Sequence, residues 1–154
     1  MRDFQRRKDN MLIGGVSIAK LVGRFGTPLM VTDENALREN YRAVHNAFNA
    51  VFPTRVNYAC KANSNLSLLR VLEQEGSCID AVSIGEVEAC LKAGFSAERI
   101  LYTGVSVSDD EMRQLVERKV PINIDSIGQL RRLAALDNGH PISLRVNPDV
   151  GSGH

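Results

Sequence analysis

This chain of 154 residues lacks a marked excess of either charge. Nineteen Lys and Arg residues against eighteen Asp and Glu residues give a formal net charge of +1. The one short basic run is Arg6-Arg7-Lys8. Domains that bind nucleic acid or an anionic membrane surface normally carry a pronounced basic patch. The near-neutral balance therefore argues against nucleic acid and membranes as partners.

Long apolar runs are also missing from the beginning of the chain. Met11, Leu12 and Ile13 are followed at once by two glycines, and Lys20 interrupts the next apolar stretch. A signal peptide or a membrane span needs a longer uninterrupted apolar segment. We therefore predict a cytoplasmic protein.

Cysteine and histidine are few and poorly placed for metal binding. The three cysteines, Cys60, Cys78 and Cys90, are odd in number and lack the close pairing of a zinc site. Small buried hydrophobic side chains are the expected role of such thiols. The three histidines have no second ligand at metal spacing, so we predict no metal site.

What the chain does contain is a recurring unit of one strand and one helix. Ser108 with Glu111, and Ser126 with Gln129, form predicted capping boxes at two of the helix starts. The strands are predicted over 56–61, 78–82, 100–103, 121–124 and 142–146. Nearly constant spacing separates the residues at their ends, Lys61, Ser83, Thr103, Asp125 and Asn147. This period indicates a parallel sheet, either an open doubly wound sheet or a closed barrel.

Lys61 is the candidate catalytic residue. Its amine has an ordinary pKa near ~10.4 and attacks a carbonyl only where desolvation or a neighbouring charge favours the free base. Strand alternation places Asn57, Ala59 and Lys61 on one face, and the small Ala59 leaves room for a flat ring. A lysine at the end of a mostly apolar strand suits the formation of a Schiff base.

The segment around this lysine resembles a known cofactor signature. Tyr58-Ala59-Cys60-Lys61-Ala62-Asn63, followed by Leu68-Leu69, Leu72 and Gly76, is similar to the pyridoxal-phosphate attachment signature of the ornithine, diaminopimelate and arginine decarboxylases. These enzymes have an alanine-racemase-like barrel. The resemblance extends to Gly26-Thr27-Pro28-Leu29, to residues 80–86 and to Leu144-Arg145-Val146-Asn147-Pro148. Within the family, the segments are most similar to the members that act on diaminopimelate.

The resemblance implies an α/β fold, a partial TIM-type (β/α) barrel of the alanine-racemase-like class that binds pyridoxal phosphate. A complete eight-stranded barrel takes roughly 250 residues, so we expect about five parallel strands and an amino-terminal fragment of a longer enzyme. Residues 1–32 are predicted to be a segment associated with an absent β domain. Residues 33–154 are predicted to be the first, truncated part of the barrel.

By the same resemblance, Lys61 attaches pyridoxal 5'-phosphate, and Asp80, Glu86 and Arg145 lie near the cofactor. Two alternatives remain open. Arg145 could form an ion pair with Asp80 or Glu86, because a buried guanidinium needs an anion. Glu86 could be present because the helix macrodipole favours acidic residues in a first turn.

The implied reaction is the decarboxylation of meso-diaminopimelate to lysine. The parent enzyme is expected to be a homodimer with its active site at the subunit interface, and the fragment alone is expected to be inactive. The alternatives are an ornithine, arginine or carboxynorspermidine decarboxylase, and a non-catalytic barrel that binds pyridoxal phosphate. Gly151-Ser152-Gly153 is predicted to be a loop rather than a phosphate cradle, since no helix follows it.

Overall fold

A computed structural model describes residues 5–7 and 10–148 of the chain. The chain divides into two compact units, Met1–Pro53 and Thr54–His154. The predicted loop at Gly151-Ser152-Gly153 lies outside the described residues. The predicted division of the chain after residue 32 stays a prediction.

The first unit contains a small antiparallel sheet and two helices. Its elements are β1 (Gln5–Arg7), β2 (Asn10–Ile13), β3 (Val16–Ser17), α1 (Ile18–Phe25) and α2 (Glu34–Asn49). Gly14 and Gly15 connect β2 to β3 with φ angles of 57° and 78°, which glycine adopts without steric cost. Asp33 begins α2, because its Oδ1 accepts a hydrogen bond from the Ala36 N–H at 3.2 Å.

The second unit is built on a five-stranded parallel sheet, as the repeat predicted, and its strands are arranged in chain order. Its strands are β4 (Asn57–Ala59), β5 (Cys78–Ala81), β6 (Ile100–Tyr102), β7 (Ile122–Ile124) and β8 (Ile142–Leu144). The connecting helices are α3 (Leu66–Gln74), α4 (Ile84–Ala93), α5 (Asp109–Glu117) and α6 (Ile127–Leu136), with short 3-10 turns at Cys60–Ala62 and Ala97–Arg99. Every strand of this sheet therefore points the same way, and the carboxyl ends of β4, β5, β6 and β7 each lead toward the next helix.

The two faces of this sheet have different surroundings. Ile79, Ile100 and Ile122 are all fully buried, and α4 and α6 contact the strands that carry them. On the opposite face, Asp80 and Asn123 are only partly buried. The hydrophobic core thus lies between sheet and helices, and the more polar face of the sheet remains accessible.

Four of the five parallel strands end one or two residues before their predicted ends, and two of these differences concern candidate site residues. The first parallel strand ends at Ala59, so Lys61 lies in the following 3-10 turn, not in the strand. The turn forms because the Asn63 N–H donates to the Cys60 carbonyl oxygen at 3.1 Å. The last strand ends at Leu144, so Arg145 follows it directly. Short strands are sufficient here, since the helices complete the burial.

The predicted helix caps are confirmed for α5 and half confirmed for α6. Ser108 and Glu111 form the full reciprocal capping box. Ser126 Oγ accepts from the Gln129 N–H at 3.2 Å, but the Gln129 side chain accepts from the N–H of Asp125, one residue earlier. The side chain therefore holds the end of the preceding strand as well as the start of its own helix.

The lengths and apolarity of the helices bear on membrane insertion. Over residues 5–7 and 10–148, none of the helices is both long and apolar enough to cross a lipid bilayer.

Candidate active site

A cavity of about 620 Å³ lies at the carboxyl ends of the parallel strands. Its polar side chains come from all five parallel strands or from the residues that directly follow them, and the backbone of Gly104 forms part of its wall. These polar lining residues are Lys61, Asp80, Thr103, Asn123 and Arg145. In parallel β/α folds, side chains at this edge of the sheet form the usual ligand-binding site. The topology thus collects residues that are far apart in the sequence.

Lys61 lies in the 3-10 turn after β4, and its side chain is exposed. The side chain leaves from a turn beyond the strand, so the strand alternation that predicted its face does not extend to Lys61. The Tyr58 hydroxyl donates to the Asn63 carbonyl oxygen at 3.2 Å and closes over the same turn. The lysine is accessible to a ligand while its backbone is held in place.

Cys60, the residue before the lysine, anchors the turn in the core. Its side chain is fully buried, and its Sγ lies 3.8 Å from Sγ of Cys90 on α4. Burial raises the pKa of the Cys60 thiol and also that of the Cys90 thiol. Both groups are therefore neutral packing residues, as predicted for the three cysteines, all of which are buried.

Asp80 occupies the centre of β5 between Ile79 and Ala81, both fully buried on the other face. Its Cα pairs with that of Ala59, which places the carboxylate beside the strand that leads to the lysine. Oδ1 of Asp80 accepts a hydrogen bond from Oγ1 of Thr103. The carboxylate is thus oriented by the hydroxyl group that follows the next strand.

Arg145 follows β8 directly and is exposed. Its backbone N–H donates to the carbonyl oxygen of Ile124 at 2.8 Å, so the arginine continues the sheet pairing past the last assigned residue of the strand. Over residues 10–148 its guanidinium makes no ion pair with Asp80 or Glu86. The guanidinium is available to an anionic ligand in the cavity.

Glu86 lies at the start of α4 and is not part of the cavity lining. Its Oε2 accepts from the Val82 N–H at 2.8 Å, and its own N–H donates to Ser83 Oγ at 3.2 Å. Because Val82 lines the cavity, Glu86 stabilises the cavity wall through this hydrogen bond without lining it. Its predicted place beside the cofactor stays a prediction.

Gly104 brings the backbone close to an aromatic ring. A Cβ atom at this position would lie 2.7 Å from Cε1 of Tyr102, which is too close for any side chain without a shift of the ring. Burial and the nearby Glu111 carboxylate raise the pKa of Tyr102 to about 12, so its hydroxyl is neutral. The glycine therefore lets the cavity wall lie against a fixed, buried tyrosine.

Asn123 and Thr103 are cavity residues that motif reasoning did not select. The signal was present in β7, where Asn123 stands between the buried Ile122 and Ile124. A polar residue in such an alternation must face the opposite side of the sheet. Whether Asn123 lines a cavity depends on which other strands lie beside β7. The apolar pattern of a single strand does not reveal its neighbours.

The cavity combines two basic side chains with one carboxylate. Lys61 supplies a nucleophilic amine, Arg145 a permanent cation, and Asp80 an acceptor for a proton or a cationic group. Across residues 5–7 and 10–148, no group of three or more His, Cys, Asp or Glu side chains is arranged to hold a metal ion. The arrangement suits a small organic ligand that carries an electrophilic carbon and negative charge.

Residues 34–154 match the family described as pyridoxal-dependent decarboxylase, pyridoxal binding domain. A diaminopimelate decarboxylase from Methanothermobacter thermautotrophicus is 51% identical over 149 residues, which cover 96% of this chain and 35% of the relative. A diaminopimelate decarboxylase from Pseudomonas aeruginosa is 39% identical over 155 residues, with coverage of 97% and 37%. The chain thus spans about a third of the length of these relatives.

Among solved structures, the diaminopimelate decarboxylase of M. jannaschii in complex with L-lysine superimposes with a TM-score of 0.85. The two chains are 30% identical, and the match covers 94% of this chain and 36% of the other. The five-stranded parallel sheet with its helices therefore corresponds to part of a barrel domain, and the open doubly wound sheet is excluded.

Proposed function

The chain belongs to the family of pyridoxal-dependent decarboxylases, and from this membership we propose that it forms part of an enzyme that decarboxylates meso-diaminopimelate to lysine. The observation that carries the proposal is the convergence of Lys61, Asp80 and Arg145 on one cavity. A lysine amine that can form a Schiff base is the group that attachment of pyridoxal phosphate requires, and charged side chains beside it can bind and orient the cofactor.

The cavity is compatible with pyridoxal phosphate in size and in chemistry. Its volume of about 620 Å³ falls within the ~300–1,000 Å³ that is usual for small-molecule sites. Lys61 is exposed there and would attach the cofactor through its ε-amino group. Arg145 would bind an oxyanion of the ring, and Asp80, held by Thr103, would accept a hydrogen bond from a protonated nitrogen.

The cofactor, when bound, withdraws electrons from the substrate α-carbon and so allows carbon dioxide to leave. The chain's own residues bind and orient. Lys61 also provides an amine that can donate or accept a proton close to the reacting carbon. The Thr103 hydroxyl prevents Asp80 from rotating away, so the carboxylate is preorganised before any ligand arrives.

Diaminopimelate is proposed as the substrate because of the comparisons. The 51% identical relative from M. thermautotrophicus is a diaminopimelate decarboxylase, and so is the M. jannaschii structure that contains L-lysine. Ornithine, arginine and carboxynorspermidine decarboxylation, and cofactor binding without catalysis, remain the alternatives. An assay of the full-length protein with meso-diaminopimelate, ornithine and arginine distinguishes them.

Further proposals concern the whole protein. Since the chain spans about a third of its relatives, we propose that the 154-residue chain alone has no turnover. We also propose a cytoplasmic homodimer with its active site at the subunit interface, as in the family the sequence resembles. Residues 1–32 would belong with a β domain; the family match, which begins at residue 34, supports this division.

Covalent attachment at Lys61 can be tested by reduction of the full-length protein. Borohydride treatment of the protein with bound pyridoxal phosphate should fix the cofactor to the peptide that contains Lys61, as read by mass spectrometry. Lys61→Arg should abolish this labelling and lower decarboxylation by several orders of magnitude, because a guanidinium is not a nucleophile at neutral pH.

Lys92 provides a matched control, since it is an exposed lysine in the last turn of α4 and does not line the cavity. Lys92→Arg should leave the labelling and the activity unchanged. Cofactor found on a different lysine, or full activity in Lys61→Arg, would contradict the proposal.

A further inference from the structure

Asn123 is the central residue of the three-residue strand β7. Its neighbours Ile122 and Ile124 are 0% and 4% exposed and pack toward the helices. Alternation turns the asparagine to the opposite face of the sheet, where it lines the same cavity as Lys61 and Arg145. The amide group thus lies in the cavity without being part of any catalytic motif.

Ser143 on the adjacent strand fixes the orientation of this amide. The Cα atoms of Asn123 and Ser143 are registered partners in the parallel pairing of β7 with β8. The Ser143 hydroxyl donates a hydrogen bond to Oδ1 of Asn123 at 2.7 Å. Because the carbonyl oxygen of the amide is engaged by the serine, the Nδ2 group must point elsewhere.

Nδ2 carries two N–H donors. Within residues 10–148 neither has a hydrogen-bond partner in the protein. Asn123 and Thr103 directly follow the registered pair formed by Tyr102 and Ile122, so they lie side by side on the cavity wall. The Thr103 hydroxyl is itself committed to Asp80. The amide of Asn123 is therefore a neutral donor that the protein itself leaves unused.

We propose that Asn123 is a ligand-binding residue that donates a hydrogen bond from Nδ2 to an anionic oxygen of the bound ligand, and that Ser143 is the positioning residue that orients it. The inference rests on the proposed function and deepens it. Lys61 and Arg145 supply positive charge that attracts an anionic ligand, and an oriented neutral donor fixes the position of one oxygen of that ligand. It also needs no counter-ion when the site is empty of ligand.

The anionic oxygen has two possible sources with the same chemistry. One is an oxyanion of pyridoxal phosphate, and the other is a carboxylate of the amino-acid substrate. A contact to the cofactor changes the affinity for pyridoxal phosphate, whereas a contact to the substrate changes KM at saturating cofactor. Both quantities can be measured on the same variants.

The experiment uses the full-length protein and compares Asn123→Ala with Asn57→Ala. Asn57 is an exposed asparagine at the amino-terminal end of β4, and it does not line the cavity. The dissociation constant for pyridoxal phosphate is measured by absorbance titration, and KM for meso-diaminopimelate by initial rates. Loss of a hydrogen bond to a charged group should raise one of these constants roughly 10- to 100-fold in Asn123→Ala. Asn57→Ala should change neither by more than about twofold.

Ser143 is tested by two variants that differ in the hydroxyl group. Ser143→Ala should raise the same constant as Asn123→Ala but by less, because the amide remains and only its orientation is lost. Ser143→Thr keeps a hydroxyl group, so the constant that Asn123→Ala raises should stay within about twofold of its wild-type value. A purely structural role of the pair would instead change thermal stability in both serine variants without changing either constant.

Asn123→Asp provides a second test if the alanine variant folds poorly. It keeps an acceptor for Ser143, removes the donor and adds a negative charge, so it should weaken anion binding more than alanine does. The inference would be overturned if the dissociation constant for pyridoxal phosphate and KM for meso-diaminopimelate of the Asn123 variants both lay within about twofold of those of Asn57→Ala. A wild-type protein that neither binds pyridoxal phosphate nor decarboxylates diaminopimelate would instead overturn the proposed function, so the two failures are distinguishable.

Discussion

At the scale of single residues, the accessible Lys61 of the candidate site directly follows a buried cysteine in the chain. Lys61 is exposed at the cavity, whereas Cys60 is fully buried and lies 3.8 Å from Cys90 through their sulfur atoms. A 3-10 turn of three residues has few hydrogen bonds of its own to fix its position. The buried thiol is therefore the side chain that holds the lysine-bearing turn against α4.

The raised thiol pKa values lead to a prediction about reactivity. Only the thiolate is nucleophilic, and burial raises the pKa of both Cys60 and Cys90. In the native protein near pH ~8, iodoacetamide should alkylate both residues far more slowly than in urea. Peptide mass spectrometry after timed quenching measures each rate. Equal rates in the native and the unfolded protein would show that the turn is not anchored as described.

At the scale of elements, three consecutive helices of the second unit begin with the same device. A serine accepts from the backbone N–H three residues later at the start of α4, α5 and α6. In α4 and α6 the third residue, Glu86 or Gln129, also binds the N–H of the residue before the serine. These residues, Val82 and Asp125, follow the ends of β5 and β7. The caps thus hold the loops that carry the cavity wall.

The capping box of α5 should contribute stability that depends on pH. Hydrogen bonds from the backbone and side chain of Ser108 lower the pKa of Glu111 below its ordinary value of 4.5. A carboxyl group whose pKa is lower in the folded state than in the unfolded state stabilises the folded protein. This contribution is complete at pH values above the pKa of the unfolded state, and it is lost as the pH falls through the pKa of the folded state. We therefore expect that acidification below about pH 4.5 lowers the free energy of unfolding less in Glu111→Gln than in the wild type.

Urea unfolding of the chain at several pH values measures this effect. Ser108→Ala should lower the free energy of unfolding at neutral pH by about 1 kcal/mol, as is typical for loss of a serine cap. Glu117→Gln, at the other end of the same helix, serves as the control and should keep the acid dependence. The prediction fails if Glu111→Gln and Glu117→Gln respond alike to acid.

At the scale of the whole second unit, the two faces of the sheet and its edge determine where stability resides. Ile122 and Ile142 are registered partners on adjacent strands, yet they are 0% and 43% exposed. α6 contacts β7, whereas β8 lies at the edge of the sheet. The same residue type in the same register therefore has very different surroundings.

The matched pair Ile122→Ala and Ile142→Ala tests this difference in the 154-residue chain. Removal of the fully buried side chain should cost about 2–5 kcal/mol, because it combines lost burial with a cavity. Removal of the half-exposed side chain in Ile142→Ala should lower the free energy of unfolding by less than about half of that amount. Denaturant unfolding of both variants gives the two values. Equal costs would mean that the edge strand is covered as well as the interior one.

The sequence by itself determined the repeated strand and helix units, the parallel sheet, the buried cysteines and the lysine on which the site is centred. These features are local, since capping serines, glycine stops and apolar periodicity act within a few residues. The serine caps of α5 and α6 were predicted for this reason, and so was the parallel direction of the strands, whereas the order of the strands in the sheet was not.

Only the tertiary structure decided which side chains share the cavity. Register between neighbouring strands brings Asn123 to Ser143 and Ala59 to Asp80, and no spacing along the chain encodes those pairs. It also decided that Lys61 lies in a turn and not in a strand, and that Glu86 accepts a hydrogen bond from the Val82 N–H and does not line the cavity. Such contacts depend on the packing of whole elements, whereas sequence patterns report only the face on which each residue lies.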